Sequence, residues 1–287
     1  MITGGPSSII GRVPPRFAVN CSILLADRPW PARLEAVSEA GFEAVEFWWP
    51  FDTSTPADAE VEAFVAAVRD AGLRLVGLNL YGGDLPGGDR GVVSWPGRTG
   101  ELLASARVAA TIGQELGCRS FNALYGNRLP GHDPAEQDDV GVRALGQVAA
   151  ELAEIGATVL IEPVSGVDAY PLRTADDAVA VIDRVAAETG QGGLGLLLDV
   201  YHLTVNGDDV SAAIRRHRDR IAHVQLADAP GRGAPGTGEL PLRAWVDELT
   251  AGGYGGWFAL EYVSTDADPF ARRESWFASD DGRGSAA

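Results

Sequence analysis

Short apolar runs alternate along the chain with longer stretches in which apolar residues recur every three or four positions. The short runs are typical of buried strands. The longer stretches are typical of amphipathic helices, such as the one in which Val61, Phe64, Val65 and Val68 share a face. The pattern predicts eight strands, at residues 17–20, 44–47, 73–79, 120–123, 158–162, 194–199, 221–226 and 257–261.

Eight strands that each precede a helical segment predict an α/β fold, a single-domain (β/α)₈ TIM barrel, rather than a doubly wound sheet. A length of 287 residues would also fit two ordinary domains, but no Pro/Ser-rich linker divides the chain. No GxGxxG motif follows the first strand, which disfavours a dinucleotide-binding fold. We expect a flexible leader at residues 1–16, the barrel at residues 17–277 and a flexible tail at residues 278–287.

The last four predicted strands each carry a side chain that can bind a metal at their last or penultimate position. These residues are Glu162, Asp199, Gln225 and Glu261. Because strand ends gather at one mouth of a barrel, we expect the four side chains to meet there. Carboxylate and amide oxygens suit Mg²⁺ or Mn²⁺, and a cation would relieve the repulsion among three carboxylates. The sequence therefore predicts one divalent metal and no organic cofactor.

Each candidate ligand also has an ordinary structural explanation. Asp199 could cap the following helix, and Gln225 could be a satisfied amide of the barrel wall. Glu162 and Glu261 are harder to explain in that way, because each closes an apolar strand and faces inward by the alternation of side chains. His223 precedes Gln225 by two residues, so we expect it one layer deeper, as a polar support of the site.

Four further residues are candidates for binding a substrate: Asn79, Arg98, His202 and Arg232. His202 could orient a substrate or support a ligand, or it could bond only to the backbone. Arg232 could clamp a substrate carboxylate, or it could be a solvated side chain. Arg98 ends the Gly-rich loop at residues 82–98, which is long enough to be a lid or a specificity loop.

Composition narrows the classes of partner. A formal charge of −17, from 40 acidic and 23 basic residues, disfavours nucleic acid. No apolar stretch approaches the roughly 20 residues that span a membrane, and the first residues lack the apolar core of a signal peptide. The distant Cys21 and Cys118 indicate reduced thiols rather than a disulfide framework. We expect a cytoplasmic protein with a small-molecule substrate, and we leave open whether it forms a homo-oligomer.

Three segments resemble the hydroxypyruvate isomerase family, within the xylose isomerase-like TIM-barrel superfamily that also holds ketose 3-epimerases and endonuclease IV. The segments are FAVNCSILLADRPWPARLEAVSEAGFEAVEFWWPF, GDLPGGDRGVVSWPGR and IAHVQLADAPGRGAPGTGEL. The chain departs from the family pattern where Gly233 and Ala234 replace a His-Glu pair and where Val263 replaces a lysine. Substrate identity is the property that these departures affect.

The resemblance implies that Glu162, Asp199, Gln225 and Glu261 bind the metal, with Glu162 and Glu261 as the acid–base pair. It implies a metal-dependent isomerisation of a small hydroxy or 2-oxo acid through a cis-enediolate, of the type that converts hydroxypyruvate to tartronate semialdehyde. The alternatives are a ketose 3-epimerase, a four-carbon 2-oxo acid isomerase on the same metal site, and a non-catalytic sugar-acid binding protein. Glutamine at position 225 is similar to the isomerase branch, since the epimerases usually carry histidine there.

Overall fold

The computed structural model describes residues 14–276 of the chain. The predicted tail at residues 278–287 lies outside this range, as does the predicted leader at residues 1–16 except for its last three residues. The strands are β1 Arg16–Asn20, β2 Ala44–Phe47, β3 Arg74–Asn79, β4 Ser120–Asn122, β5 Thr158–Ile161, β6 Leu194–Asp199, β7 Ile221–Leu226 and β8 Trp257–Leu260. The α-helices are α1 Trp30–Glu39, α2 Asp58–Asp70, α3 Thr99–Leu116, α4 Pro134–Ala153, α5 Ala175–Thr189, α6 Val200–Asn206, α7 Val210–Arg216, α8 Leu242–Ala251 and α9 Arg273–Trp276.

The strands form a closed parallel barrel in sequence order. β1 pairs with β2 on one side and with β8 on the other, so the sheet has no free edge. Every strand is followed by a helix that packs on the outside, which is the arrangement of a TIM barrel. The predicted fold is confirmed, and the eight predicted strands match the observed ones to within a residue or so at each end.

Burial of both sheet faces explains the apolar strands. In β6 all residues after Leu194 are buried, because its side chains face either the barrel interior or the surrounding helices. On the outside of β2, Phe64 of α2 packs edge-on against Phe47, with ring centroids 5.2 Å apart. The helical spacing that placed Phe64, Val65 and Val68 on one face therefore corresponds to the buried face of α2.

Local sequence sets where the helices begin and end, as α5 shows. The Thr174 hydroxyl accepts a hydrogen bond from the Asp177 backbone N–H, and the Asp177 carboxylate accepts one from the Thr174 N–H. Gly190 ends the helix at φ 71°, a left-handed conformation that costs glycine little. Within residues 14–276, no helix is both long and apolar enough to cross a membrane.

Candidate active site

A cavity of about 560 Å³ opens at the carboxyl ends of the strands. Glu162, Glu261, His202, Arg232 and Asn79 are among the residues that line it. Aromatic side chains from β2 and the loop after it form one wall of the cavity. The mouth of the barrel therefore carries charged groups beside an apolar surface, which is typical of a small-molecule site.

Glu162 follows β5 directly, and Pro163 after it has no N–H with which to continue the strand. The side chain is 5% exposed, and its Oε2 accepts a hydrogen bond of 2.6 Å from Asn122 Nδ2. The Tyr170 hydroxyl donates to the backbone carbonyl of Glu162 at 3.0 Å. Both the backbone and one carboxylate oxygen of Glu162 are therefore held in place.

Glu261 follows β8 in the same way. Its backbone N–H donates to the Leu226 carbonyl at 3.0 Å, so the residue is still tied to β7. The Trp48 indole Nε1–H donates to Glu261 Oε1 at 2.7 Å. Glu261 Oε2 lies 3.3 Å from Arg232 Nη2 but makes no hydrogen bond within the described residues. One oxygen of this carboxylate is fixed and the other remains available.

Asp199 is the last residue of β6, and Gln225 is the penultimate residue of the neighbouring strand β7. Their Cα atoms are register partners between β6 and β7, so their side chains point to the same face of the sheet. Asp199 Oδ1 accepts the His202 backbone N–H at 2.9 Å and so caps α6, as the structural alternative for this residue supposed. Asp199 Oδ2 takes no part in the cap and lies 3.7 Å from Arg232 Nη2.

The donor set fits a divalent cation. Gln225 Oε1 is buried and makes no hydrogen bond among the residues that the structure describes, and the same is true of Glu261 Oε2. Buried oxygens in folded proteins nearly always have a partner. Glu162 and Asp199 contribute two further buried carboxylates. An all-oxygen set with two unsatisfied members suits Mg²⁺ or Mn²⁺.

The carboxylates of this cluster are poorly compensated without a cation. Burial, followed by the negative charges of Glu261 and Asp199, raises the pKa of Glu162 well above its ordinary value. Burial also raises the pKa of Glu261 to about 8; Arg232 opposes this change, whereas Asp199 and Glu46 add to it. The metal-free cluster thus retains protons near neutral pH, and a bound cation would displace them.

His202 faces the same carboxylates through its Nε2. This atom lies 4.0 Å from Glu162 Oε1 and 3.9 Å from Asp199 Oδ2, so the three residues form a group compact enough to hold a metal. However, His202 Nδ1 accepts the Ser165 backbone N–H at 3.0 Å, which leaves the proton of a neutral ring on Nε2. Burial lowers the pKa of His202 to about 4, so the ring is neutral near pH 7. A protonated Nε2 donates hydrogen bonds and does not bind a metal.

Arg232 lies beside the carboxylates of Asp199 and Glu261. Its Nε donates to the Glu261 carbonyl at 3.2 Å, and its guanidinium carbon lies 5.4 Å from the centroid of the Tyr201 ring. Burial acts to lower the pKa of Arg232, but Glu261, Asp199 and Glu162 raise it, and the net direction is upward. With only 19% of its side chain exposed, Arg232 is a positively charged group fixed within the site and not a solvated side chain.

The structure does not bring Arg98 to the cavity. Its guanidinium bonds to Glu101 at 2.7 Å and lies over the rings of Tyr81 and Trp95, so it stabilises the start of α3. Arg90, from the same loop, lines the cavity instead. Sequence position alone did not distinguish the two arginines, because both lie in the loop at residues 82–98.

The departures from the family pattern have local structural counterparts. A Cβ atom at Gly233 would lie 2.3 Å from the Thr237 hydroxyl, so a side chain there would require the Thr237 side chain to move. Val263 is 50% exposed, and its backbone N–H donates to the Arg232 carbonyl. A longer side chain at position 263 would begin at the surface, two residues after Glu261.

Three supporting residues have no counterpart among the sequence-predicted site residues: Glu46, Trp48 and Asn122. Glu46 is a carboxylate inside the apolar strand AVEF, and it pairs with His223 at 2.7 Å, one level below Gln225. A charged residue in a short buried strand is a signal that sequence can supply. Trp48 and Asn122 carry no such signal, because their roles depend on the fold.

Comparison with known proteins agrees with this geometry. The profile of the xylose isomerase-like TIM barrel family matches residues 34–279. A putative hydroxypyruvate isomerase from Streptomyces coelicolor is 47% identical over 265 residues, which is 91% of this chain and 95% of that protein. This chain belongs to the hydroxypyruvate isomerase family of xylose isomerase-like TIM barrels. The family resemblance of the sequence is confirmed.

Other members and neighbours of the hydroxypyruvate isomerase family are also similar. A 2-oxo-tetronate isomerase from Cupriavidus necator is 32% identical over 259 residues, covering 86% of this chain and 92% of that protein. The crystal structure of an AP endonuclease, family 2, from Brucella melitensis superimposes with a TM-score of 0.82 at 29% identity, covering 92% of this chain and 98% of that one. By its family the protein is an enzyme, an isomerase.

Proposed function

We propose that the protein is a metal-dependent isomerase of a small hydroxy or 2-oxo acid, with the conversion of hydroxypyruvate to tartronate semialdehyde as the leading reaction. The observation that carries the proposal is the convergence of Glu162, Asp199 and Glu261 at one end of the barrel with the Gln225 oxygen, which accepts no hydrogen bond from the described residues. The putative hydroxypyruvate isomerase relative at 47% identity supports the substrate class.

The proposed ligands are Glu162, Asp199, Gln225 and Glu261. The ion would be Mg²⁺ or Mn²⁺, since every donor is an oxygen. When bound, it would supply a positive charge that polarises the substrate carbonyl and favours loss of a carbon-bound proton. His202 is left out of the ligand set because its Nδ1 already accepts a hydrogen bond from Ser165, so Nε2 carries the proton.

Glu162 and Glu261 are the proposed acid–base pair. One carboxylate would take a proton from C3 of hydroxypyruvate, and a carboxylic acid of the pair would deliver a proton to C2. The hydroxyl proton on O3 would move to O2, so the product is an isomer and no oxidant is needed. His202 Nε2–H can donate to a substrate oxygen during this exchange, since it faces the carboxylates from 3.9–4.0 Å.

Arg232 is the proposed anchor for the substrate carboxylate. It lines the cavity, lies within 4 Å of two carboxylates and stays charged because its pKa is raised. A guanidinium can bind a carboxylate through two parallel hydrogen bonds and so fix its orientation. Asn79 is a second proposed contact to substrate, because it ends β3 and lines the same cavity.

A four-carbon 2-oxo acid is the second candidate substrate. A cavity of about 560 Å³ is larger than a three-carbon acid needs, and the Cupriavidus necator relative is named for a four-carbon substrate. The proposed residues and proton transfers would be the same. Only the far end of the cavity would be used differently.

A nuclease function is disfavoured by how the histidines are used. His132 is exposed, whereas His217 pairs with Asp176 and His223 with Glu46. Of the four histidines in the chain, His202 alone lines the cavity. The resemblance associates the nuclease branch with a histidine-rich site for several metals, and these positions do not assemble one.

The test is proton exchange in D₂O, followed by NMR. The metal-loaded protein is incubated with hydroxypyruvate, with a four-carbon 2-oxo acid and with the free ketoses fructose and tagatose. We expect aldehyde product and deuterium at C2 or C3 of an acid. Deuterium only at C3 of a ketose would replace the proposal with a 3-epimerase. Binding without any exchange would indicate a non-catalytic protein.

A further inference from the structure

A second polar layer lies below the proposed metal ligands, inside the barrel. Its centre is Glu46 of β2, which is 3% exposed. Three donors converge on this carboxylate: Asn20 Nδ2 and Gln225 Nε2 each lie 2.8 Å from Oε1, and His223 Nε2 lies 2.7 Å from Oε2. The layer connects strands β1, β2 and β7, and it shares Gln225 with the layer above.

The orientation of Asn20 is fixed independently of Glu46. Asn20 Oδ1 accepts the backbone N–H groups of Ser22 and Ile23, at 2.9 and 3.3 Å. Backbone N–H groups can only donate, so the other branch of this amide must be the NH₂ group. Asn20 therefore presents a donor to Glu46 Oε1, and that oxygen must act as an acceptor.

The same oxygen determines which way the Gln225 amide faces. An acceptor 2.8 Å away selects the NH₂ group of Gln225, so the carbonyl branch is directed elsewhere. This holds whether or not the far oxygen of Glu46 carries a proton. The result is that Gln225 Oε1 is buried at the register level of Asp199 and accepts no hydrogen bond within residues 14–276.

We propose that Glu46 is a positioning residue that selects the amide orientation of Gln225 and thereby makes its oxygen, not its NH₂ group, available to the cation. The inference rests on the proposed metal site. Without Glu46, the amide could turn and direct a donor at the cation, which would repel it. An outer hydrogen bond of this kind typically contributes about 10–100-fold to metal affinity.

Gly77 of β3 supplies the space for this arrangement. A Cβ atom at this position would lie 3.0 Å from Glu46 Oε2 and 3.2 Å from Glu46 Cβ. It would also approach His223 Nε2 to 3.6 Å. The Glu46–His223 pair is thus packed against a residue without a side chain, and a methyl group there would displace the carboxylate without changing its chemistry.

Two conservative substitutions of Glu46 separate positioning from charge. Glu46→Asp keeps the charge but withdraws the acceptor by roughly one C–C bond, about 1.5 Å. We expect this variant to bind Mn²⁺ at least about 10-fold more weakly in calorimetry. Glu46→Gln keeps a carbonyl oxygen for Asn20 and Gln225 and turns its NH₂ group to His223. We expect it to bind Mn²⁺ within about threefold of the wild type.

A double-mutant cycle shows whether Glu46 acts through Gln225. Gln225→Met removes the amide, so adding Glu46→Asp to it should cause no further loss of Mn²⁺ affinity. Glu43→Asp, a change at the exposed residue directly before the same strand, should bind like the wild type. If Glu46→Asp does not fold, Gly77→Ala replaces it and should also weaken Mn²⁺ binding.

Three results would overturn the inference: wild-type affinity in folded Glu46→Asp or Gly77→Ala, weaker binding by Glu46→Gln than by Glu46→Asp, or additive losses in the cycle. These differ from failure of the metal site itself. In that case Mn²⁺ would not bind the wild type, or would bind Glu261→Gln equally well. Circular dichroism on each variant checks that the barrel is intact.

Discussion

Glu46 and Glu261 are the same residue type, are each 3% exposed and lie in adjacent layers of one barrel, yet their environments are opposite. Burial alone would raise the pKa of Glu46, but hydrogen bonds from His223, Gln225 and Asn20 lower it below the ordinary value. At Glu261 burial dominates and the pKa rises to about 8. The number and kind of neighbouring groups, and not the depth of burial, therefore determine the charge state of these two glutamates.

The difference shows which of the two layers has all its hydrogen bonds satisfied. The lower layer is the one around Glu46, and the upper layer consists of Glu162, Asp199, Gln225 and Glu261. Both carboxylate oxygens of Glu46 accept hydrogen bonds, so the lower layer needs no additional ion. Around Glu261, the neighbours include Asp199 and Glu162, and Arg232 is the cation that the described residues place beside them. Such a cluster is stabilised by a divalent cation. We infer that the lower layer supports the upper one, where the proposed ion and substrate would bind.

The largest expected effect comes from neutralising the upper layer. Glu162→Gln or Glu261→Gln should lower turnover at least about 10²–10⁴-fold, because each removes a group that we propose both transfers a proton and binds the metal. The assay is the NMR measurement of hydroxypyruvate isomerisation at saturating Mn²⁺. Glu43→Gln, at an exposed position, is the matched control and should keep full activity. Near-normal turnover in either site variant would remove the acid–base assignment.

The upper layer was largely visible in the sequence, and the reason is geometric. Glu162, Asp199, Gln225 and Glu261 each lie within one residue of the end of a strand, and the closure of a parallel barrel brings such ends together. Strand order then suffices to predict neighbours without knowing any side-chain conformation. The periodicity of the helices, as in α2, was equally informative because only one face is buried.

The remaining parts of the site required the fold. Trp48 reaches Glu261 across 213 residues of sequence, and the Glu46–Gln225 contact spans 179. No local pattern encodes which donor meets which carboxylate across such separations. Arg90 and Arg98 illustrate the same limit, since the path of one loop decides which of them lines the cavity.

A smaller effect is expected in the stability of the metal-free protein. The pKa of Glu261 is about 8 in the folded chain against an ordinary 4.5, so between these values the folded state binds more protons than the unfolded state. Its contribution to stability is fully present below about pH 4.5 and is lost as the pH rises through 8. Glu162 acts in the same direction. We expect the Tm of protein in EDTA to fall by several degrees between about pH 6.5 and 8.5.

Above pH 6.5, the effect of the Glu162 and Glu261 carboxylates on stability is separated from that of His202. His202 has a pKa lowered from 6.5 to about 4, so it contributes the opposite slope, and only below that pH. Saturating Mn²⁺ should flatten the decline above pH 6.5, and Glu261→Gln in EDTA should reduce it. A Tm that stays constant or rises with pH in the metal-free wild type would contradict the proposed imbalance of the upper layer.

The smallest expected effect concerns the single hydrogen bond that Glu261 does receive. Trp48→Phe removes the Nε1–H donor at 2.7 Å but keeps an aromatic ring in the cavity wall. Because this donor favours the ionised carboxylate, its loss should raise the pKa of Glu261 relative to the wild-type enzyme and move the acid limb of the pH–rate profile upward. A net hydrogen bond of about 0.5–1.5 kcal/mol corresponds to a shift of up to about one pH unit.

The control is Trp49→Phe. The indole of Trp49 donates to the Thr53 carbonyl and not to Glu261, so this substitution should leave the position of the acid limb unchanged. Equal shifts in both variants would show that the aromatic wall as a whole, and not the Trp48 donor, sets the charge state of Glu261.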